Sequence, residues 1–215
     1  GKMERLLEKA EKLNIQLTNQ QIEQFRLYYE MLVETNKVMN LTAITELEEV
    51  MTKHFIDSLA LIRVYPEISN CECKMKILDL GTGAGFPGIP LKIAFPHLDI
   101  VLMDSLNKRI KFLQSVIEAL GLSKAQAVHA RAEEAARANQ YRETFDLCVS
   151  RAVANLSTLS EYCLPFVKIG GKFISYKAAE IETEATEAVK AIQLLGGKLD
   201  QIEKTMLIDS DIERA

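Results

Sequence analysis

Two carboxylates and a cluster of glycines are the residues of this chain best placed to do chemistry. Ile77 to Gly88 reads ILDLGTGAGFPG, so that Gly81, Gly83, Gly85 and Gly88 follow an apolar run ending at Asp79 and Leu80. Gly83-x-Gly85-x-x-Gly88 fits the dinucleotide fingerprint, in which residues without a Cβ let backbone N–H groups come close to a ligand at a helix N-terminus. A second apolar run, DIVLMD, ends in Asp104, whose carboxylate can accept both hydroxyls of an adenosine ribose. Loop and acid together indicate an adenosine-containing cofactor.

Asp79 discriminates between the candidates. A carboxylate at the loop entrance repels a dinucleotide phosphate and attracts the cationic amino group of a methionine moiety. The glycines also begin two residues before the fingerprint register, and Asp79-x-Gly81-x-Gly83-x-Gly85 resembles the methyltransferase motif. The loop is therefore read as a site for S-adenosylmethionine (SAM), with Asp79 among its contacts, in preference to NAD.

Other polar residues are more ambiguous. His54, Asp57 and Ser58 stand at i, i+3 and i+4, on one face of a helical segment. They could touch a substrate, or tie that helix to the rest of the protein, and the structural role is the preferred reading. Arg151 follows the fourth apolar run, where open α/β sheets present ligand contacts, although an ordinary surface arginine would read the same way. Lys108 and Arg109 open a helix beside Asp104 and could reach a phosphate or simply be solvated; Arg131 and Lys177 are further cationic candidates. The four cysteines lack zinc spacing and no metal site is expected.

The elements that must position these residues follow from hydrophobic periodicity. Helical spacing over Glu4 to Leu13, Asn19 to Lys37 and Glu46 to Val64 predicts a helical extension over residues 1–65, with Thr18 or Asn19 as an N-cap and Asn14 closing the first helix. Residues 66–215 alternate short apolar runs with helical segments, the pattern of a parallel sheet with crossover helices. Strands are expected at Lys76–Leu80, Ile100–Asp104, Ala125–Ala130, Phe145–Ser150, Lys172–Tyr176 and Leu199–Leu207. Helices are expected at Ile89–Ala94, Lys108–Leu120, Leu156–Val167 and Ile181–Leu195, with a short turn near Ala132 to Asn139. Gly121, Gly170-Gly171 and Gly196-Gly197 read as helix C-caps.

Composition adds bounds. The 215 residues are 48% hydrophobic and 26% charged, which excludes disordered and fibrous classes. No apolar run reaches the roughly 20 residues of a membrane span, and the charged N-terminus is unlike a signal peptide, so a cytoplasmic protein is expected. The formal charge of −4 argues against nucleic acid only weakly, since a local basic face decides that question.

Six stretches together carry a more specific resemblance. NLTAIT from Asn40, HFIDSL from His54, DLGTGAGFPGIPL from Asp79, DSLNKRIKFL from Asp104, HARAEE from His129 and SRAVANL from Ser150 resemble the glucose-inhibited division protein B family. These bacterial enzymes methylate N7 of one guanine in 16S ribosomal RNA. The resemblance runs from the N-terminal helices to about Leu195, and Phe86-Pro87-Gly88 separates it from generic class I methyltransferases.

The resemblance implies a Rossmann-like class I SAM-dependent methyltransferase fold, a mostly parallel twisted sheet flanked by helices with the N-terminal helical extension. It implies SAM contacts from Gly81, Gly83, Gly85 and Phe86, with Asp104, Ser105 and Leu106 on the ribose side and Ala132 and Glu133 at the adenine. Arg151 would lie near the reactive end, positioning groups without acting as an acid or base. The implied partner is 16S ribosomal RNA within the small subunit or its precursor, and a monomer is favoured. Thr35 stands where the family often has tryptophan, and the last residues, DIERA, precede an expected final strand and basic tail, so an incomplete C-terminal end is anticipated. A methyltransferase for a small molecule or protein, and a non-catalytic SAM- and RNA-binding assembly factor, are the alternatives.

Overall fold

A computed structural model describes residues 2–151 and 156–176, together with the backbone of 205–206 and 213–214. Five parallel strands form its centre: β1 (Lys76–Leu80), β2 (Asp99–Asp104), β3 (Ala125–His129), β4 (Phe145–Ser150) and β5 (Val167–Ser175), in the spatial order β3-β2-β1-β4-β5. The near-continuous apolar runs of β1, β2 and β4 suit strands covered on both faces, and they occupy the middle of the sheet.

Alternation along each strand divides the core in two. Ile77, Ile100, Leu102, Leu147 and Val149 point to one face, Leu78, Val101, Met103 and Cys148 to the other. The second face is closed by α7 (Ala132–Ala135) and the segment from α8 (Leu156–Cys163) to Phe166. The first is covered by α5 (Gly88–Ala94) and α6 (Asn107–Leu120), and by α1 (Arg5–Glu11) and α2 (Asn19–Asn36). Phe25, Tyr28 and Leu32 of α2 belong to the same apolar cluster as the strands, so the N-terminal helices complete the core of the sheet. Thr18 caps α2 in a reciprocal capping box with Gln21, and Asn14, at φ +60°, ends the first helical segment.

Three expectations are corrected. The helix expected over Leu156–Val167 ends at Cys163, passes through a 3-10 turn containing Pro165 and becomes β5 at Val167, earlier than Lys172. Gly170 and Gly171, expected to cap that helix, lie inside β5. A Cβ on Gly171 would sit 2.7 Å from the carbonyl oxygen of Asp146, Gly170 takes a φ of +86°, and the β4–β5 register shifts between Phe145 and Leu147, so the two glycines accommodate an irregularity in the strand pairing. The third helix, expected as one regular segment, changes pitch along its length. It is α-helical at α3 (Leu47–Val50), π-helical at Met51–Ile56, α-helical at α4 (Asp57–Leu59) and 3-10 at Ala60–Arg63.

Gly121 caps α6 with φ +65°, as expected. The helix at Ile181–Leu195, Gly196-Gly197 and most of the strand at Leu199–Leu207 lie outside the described residues; Thr205–Met206 (β6) pairs antiparallel with Glu213–Arg214 (β7). None of the described helices is long and apolar enough to cross a membrane.

Candidate functional site

The carboxyl ends of β1 to β4 share one edge of the sheet, and the order reverses between β1 and β4, the place where open α/β sheets take ligands. The loop after β1 is anchored there by its own backbone: the N–H groups of Gly81 and Thr82 both donate to the carbonyl of Met103, at 2.9 and 3.1 Å. Gly81, Gly83 and Gly85 take φ values of +69°, +59° and +107°, which glycine adopts without strain. A Cβ on Gly83 would meet no heavy atom within 4 Å, so this part of the loop borders open space.

Asp79 lies beneath the loop. Its side chain is fully buried, and Oδ2 accepts from the Thr82 hydroxyl at 2.7 Å and the Gly88 N–H at 2.8 Å. Burial pushes the carboxyl up to about 7, against those two hydrogen bonds and the charge of Arg151, which pull it down. Oδ1 has no hydrogen-bond partner among the described residues. Asp79, expected at the loop entrance as a contact for a cationic amino group, also holds the loop's shape through Oδ2. Gly88, the last glycine of the fingerprint, is needed for packing: a Cβ there would fall 2.2 Å from Leu102 and 2.8 Å from Asp79 Oδ2.

Asp104 ends β2 with only 4% of its surface exposed. Its Oδ2 accepts from the Gly83 N–H at 2.9 Å, its Oδ1 from the Leu106 N–H at 3.0 Å, and Arg109 Nη1 stands 3.5 Å from Oδ2. A carboxylate offers about four acceptor sites, so these bonds leave capacity for ribose hydroxyls. Ser105 and Leu106 are exposed beside it, and Ala132 and Glu133 open α7 after β3. The Ala130 N–H donates to the Asp104 carbonyl, and His129 Nε2 lies 3.0 Å from the Ser105 carbonyl, so the end of β3 is bound to that of β2. An open glycine cradle next to a nearly buried carboxylate with spare acceptor sites fits SAM.

Beyond the loop, the end of β4 meets the third helix. Arg151 Nε is 3.5 Å from Asp57 Oδ2, and Nη2 donates to the Lys53 carbonyl and reaches His54 Nδ1, both at 3.3 Å. The guanidinium also lies over the Phe86 ring, 5.5 Å from its centroid, while His54 stacks on the same ring at 4.3 Å and an interplanar angle of 11°. Ser58 sends its hydroxyl to the His54 carbonyl at 2.6 Å, and Tyr176 donates to the Ser58 carbonyl at 2.7 Å. The structure thus brings His54, Asp57, Phe86 and Arg151 together at the cofactor loop, with Ser58 supporting them through the backbone.

Comparison with known proteins identifies the family. A family model described as GidB, rRNA small subunit methyltransferase G, matches residues 21–211. The chain belongs to this family. Ribosomal RNA small subunit methyltransferase G of Lachnoclostridium phytofermentans is 54% identical over 94% of this chain and 82% of that protein. Its counterpart in Brevibacillus brevis is 50% identical over 93% and 82%. A SAM-dependent methyltransferase from Aquifex aeolicus shares the fold at a TM-score of 0.54, with 15% identity over 85% of this chain and 96% of that one. M. jannaschii TYW2, solved with AdoMet, does so at 0.56, with 16% identity over 74% and 72%. The Rossmann-like methyltransferase fold stands on this footing.

Within this member of the rRNA small subunit methyltransferase G family, Lys108 and Arg131 are exposed at the starts of α6 and α7, on the cofactor edge of the sheet. Arg109 is partly engaged by Asp104. Lys177 lies outside the described residues. Sequence reasoning missed Tyr28, Thr42, Thr82 and Tyr176 as supports of the site. Thr82 and Thr42 lie within stretches already singled out, whereas Tyr28 and Tyr176 look like ordinary apolar positions.

Proposed function

We propose that this chain transfers the methyl group of SAM to N7 of a guanine in 16S ribosomal RNA. The reading is carried by one juxtaposition: Arg151 and the His54–Phe86 stack adjoin the same loop that forms the open cradle at Gly83. SAM supplies a methyl group on a positively charged sulfonium. Guanine N7 carries an in-plane lone pair and no hydrogen, so no residue has to remove a proton first. The site suits such an acceptor, because Asp79 is buried under the loop and Asp57 and His54 are turned toward Arg151.

The residues' task is alignment, which can contribute up to about 7–11 kcal/mol to lowering a barrier. Gly81, Gly83, Gly85 and Phe86 form the wall against which the cofactor rests, with Asp79 shaping it from below. Asp104, Ser105 and Leu106 receive the ribose, and Ala132 and Glu133 flank the adenine. Arg151 orients the reacting groups and contacts the guanine through O6 or a phosphate, since the ring gains positive charge as the methyl arrives. Lys108, Arg109, Arg131 and Lys177 are the candidates for phosphate contact. With a formal charge of −4, the chain gains much of its affinity from the folded small subunit or its precursor, and it acts as a cytoplasmic monomer.

The test is transfer of labelled methyl from SAM to small subunits lacking the modification, with naked ribosomal RNA, guanosine nucleotides and protein as parallel acceptors. Label recovered from subunits as 7-methylguanosine is the expected result. Label confined to a protein or small-molecule acceptor, or SAM binding without transfer to any acceptor, would overturn the assignment.

A further inference from the structure

We infer that His54 and Asp57 are positioning residues which, acting from the N-terminal helical segment, set the orientation of Arg151 at the end of β4. The inference rests on the role proposed for Arg151 and extends the reacting assembly to a part of the chain otherwise read as structural.

Hydrogen-bond polarity supplies the first argument. A guanidinium can only donate, so the contact of 3.3 Å between Arg151 Nη2 and His54 Nδ1 requires a lone pair on Nδ1. The ring proton of neutral His54 then sits on Nε2, which donates to Thr42 Oγ1 at 2.8 Å. Thr42 is itself held, because its Oγ1 also accepts from the Ile44 N–H at 3.0 Å and its N–H donates to Asn36 Oδ1 at 2.9 Å. The contact with Arg151 therefore selects the tautomer of His54, and the Thr42 hydroxyl, which can either donate or accept, is compatible with it.

Charge supplies the second. Asp57 is 0% exposed, and an ionised carboxylate is taken out of water only when paired. Arg151 approaches it at 3.5 Å with its own side chain 15% exposed, so the pair is shielded from solvent. The local backbone assists: the π-helical stretch Met51–Ile56 contains His54 and directs the Lys53 carbonyl to the same guanidinium. Three anchors from one helix hold Arg151, and the Phe86 ring lies under both the guanidinium and the imidazole.

The test separates positioning from simple packing. Asp57→Asn keeps the shape and removes the charge; His54→Phe keeps a ring against Phe86 and removes the acceptor; His54→Gln restores an acceptor. Each is made in the native chain and in an Arg151→Ala background. The Arg151 Nε–H resonance of 15N-labelled protein is followed, together with single-turnover methyl transfer to small subunits. Thermal unfolding confirms that each variant is folded, and if Asp57→Asn does not fold, the His54 pair decides.

We expect Asp57→Asn and His54→Phe to shift the Nε–H resonance and speed its solvent exchange. Both should lower the transfer rate about tenfold to a hundredfold, the range for a hydrogen bond to a charged group. His54→Gln should recover a substantial part of that loss. Neither substitution should lower the rate further by more than about twofold when Arg151 is already alanine. An unchanged resonance, or an equal loss of rate in the Arg151→Ala background, would overturn the inference. If the native chain transfers no methyl, the proposed function fails, while the resonance still decides whether His54 and Asp57 hold Arg151.

Discussion

The hydroxyl of Tyr28 donates to the carbonyl oxygen of Ala84 at 2.6 Å, so that α2 is fastened directly to the middle of the glycine loop. The side chain is fully buried, with its ring against Phe55 and Phe86 at 5.6 and 5.7 Å. A helix early in the chain therefore helps set the shape of the glycine loop.

Tyr28→Phe should remove this donor, leave the Ala84 carbonyl unpaired and destabilise the protein by about 1–3 kcal/mol. Affinity for S-adenosylhomocysteine should fall with it. Urea unfolding and titration calorimetry read the two effects, and a loss of stability at constant affinity would show that the loop keeps its shape without α2.

The glycines of the loop should separate by what surrounds them. At Gly85 a Cβ would lie 2.7 Å from the Tyr28 hydroxyl, 2.8 Å from Ile89 and 2.9 Å from Leu113, so Gly85→Ala should cost about 3 kcal/mol or more of stability. Gly83→Ala meets no such neighbour, and only its φ of +59° is strained, at about 1–2 kcal/mol. Its methyl group would instead project into the cradle and weaken SAM binding. Measured side by side, Gly83→Ala should show the smaller loss of melting temperature.

Asp104 accepts backbone N–H groups with both of its oxygens, and Asn could do so with one only. Asp104→Asn should lower SAM affinity about tenfold or more, through a lost charged acceptor. Arg109→Ala, which removes a partly exposed partner of the same carboxylate, should change stability by less than about 1 kcal/mol. Calorimetry and unfolding on the two variants would be at odds with this assignment if Arg109→Ala proved the more damaging.

Asp79 predicts a pH dependence. Its carboxyl titrates at about 7 in the folded chain against an ordinary value of 3.8. Between those values the folded state holds a proton that the unfolded state has released, so this group makes stability fall as pH rises through that window and adds no further slope above it. Asp79→Asn should remove a slope of up to about 1.4 kcal/mol per pH unit. Unfolding curves for both chains from about pH 4 to about pH 8 test this, and parallel curves would exclude it.

Much of the site was legible because its information is local. Gly81, Gly83 and Gly85 follow a buried strand within a few residues, Asp104 ends the next, and both features survive any packing arrangement compatible with a parallel sheet. Gly170 and Gly171 misled, because a glycine pair after a helical pattern looks the same whether it caps the helix or lets a strand crowd against Asp146. His54, Asp57 and Ser58 share a helical face in the sequence pattern, where a structural role is the preferred reading. That face does join the helix to the sheet, and it does so through Arg151.

What the sequence by itself determined was the order of elements, the glycine cradle and the carboxylate beside it, since backbone freedom and hydrophobic period depend on neighbours along the chain. Only the tertiary structure decided that Asp79 would face Thr82 and Gly88 from under the loop, that Tyr28 would meet Ala84, and that Arg151 would lie between Asp57, His54 and Phe86. Burial is the physical reason: once helix and sheet exclude water, each polar group must find its partner among whatever the fold brings within about 3 Å, however distant in sequence.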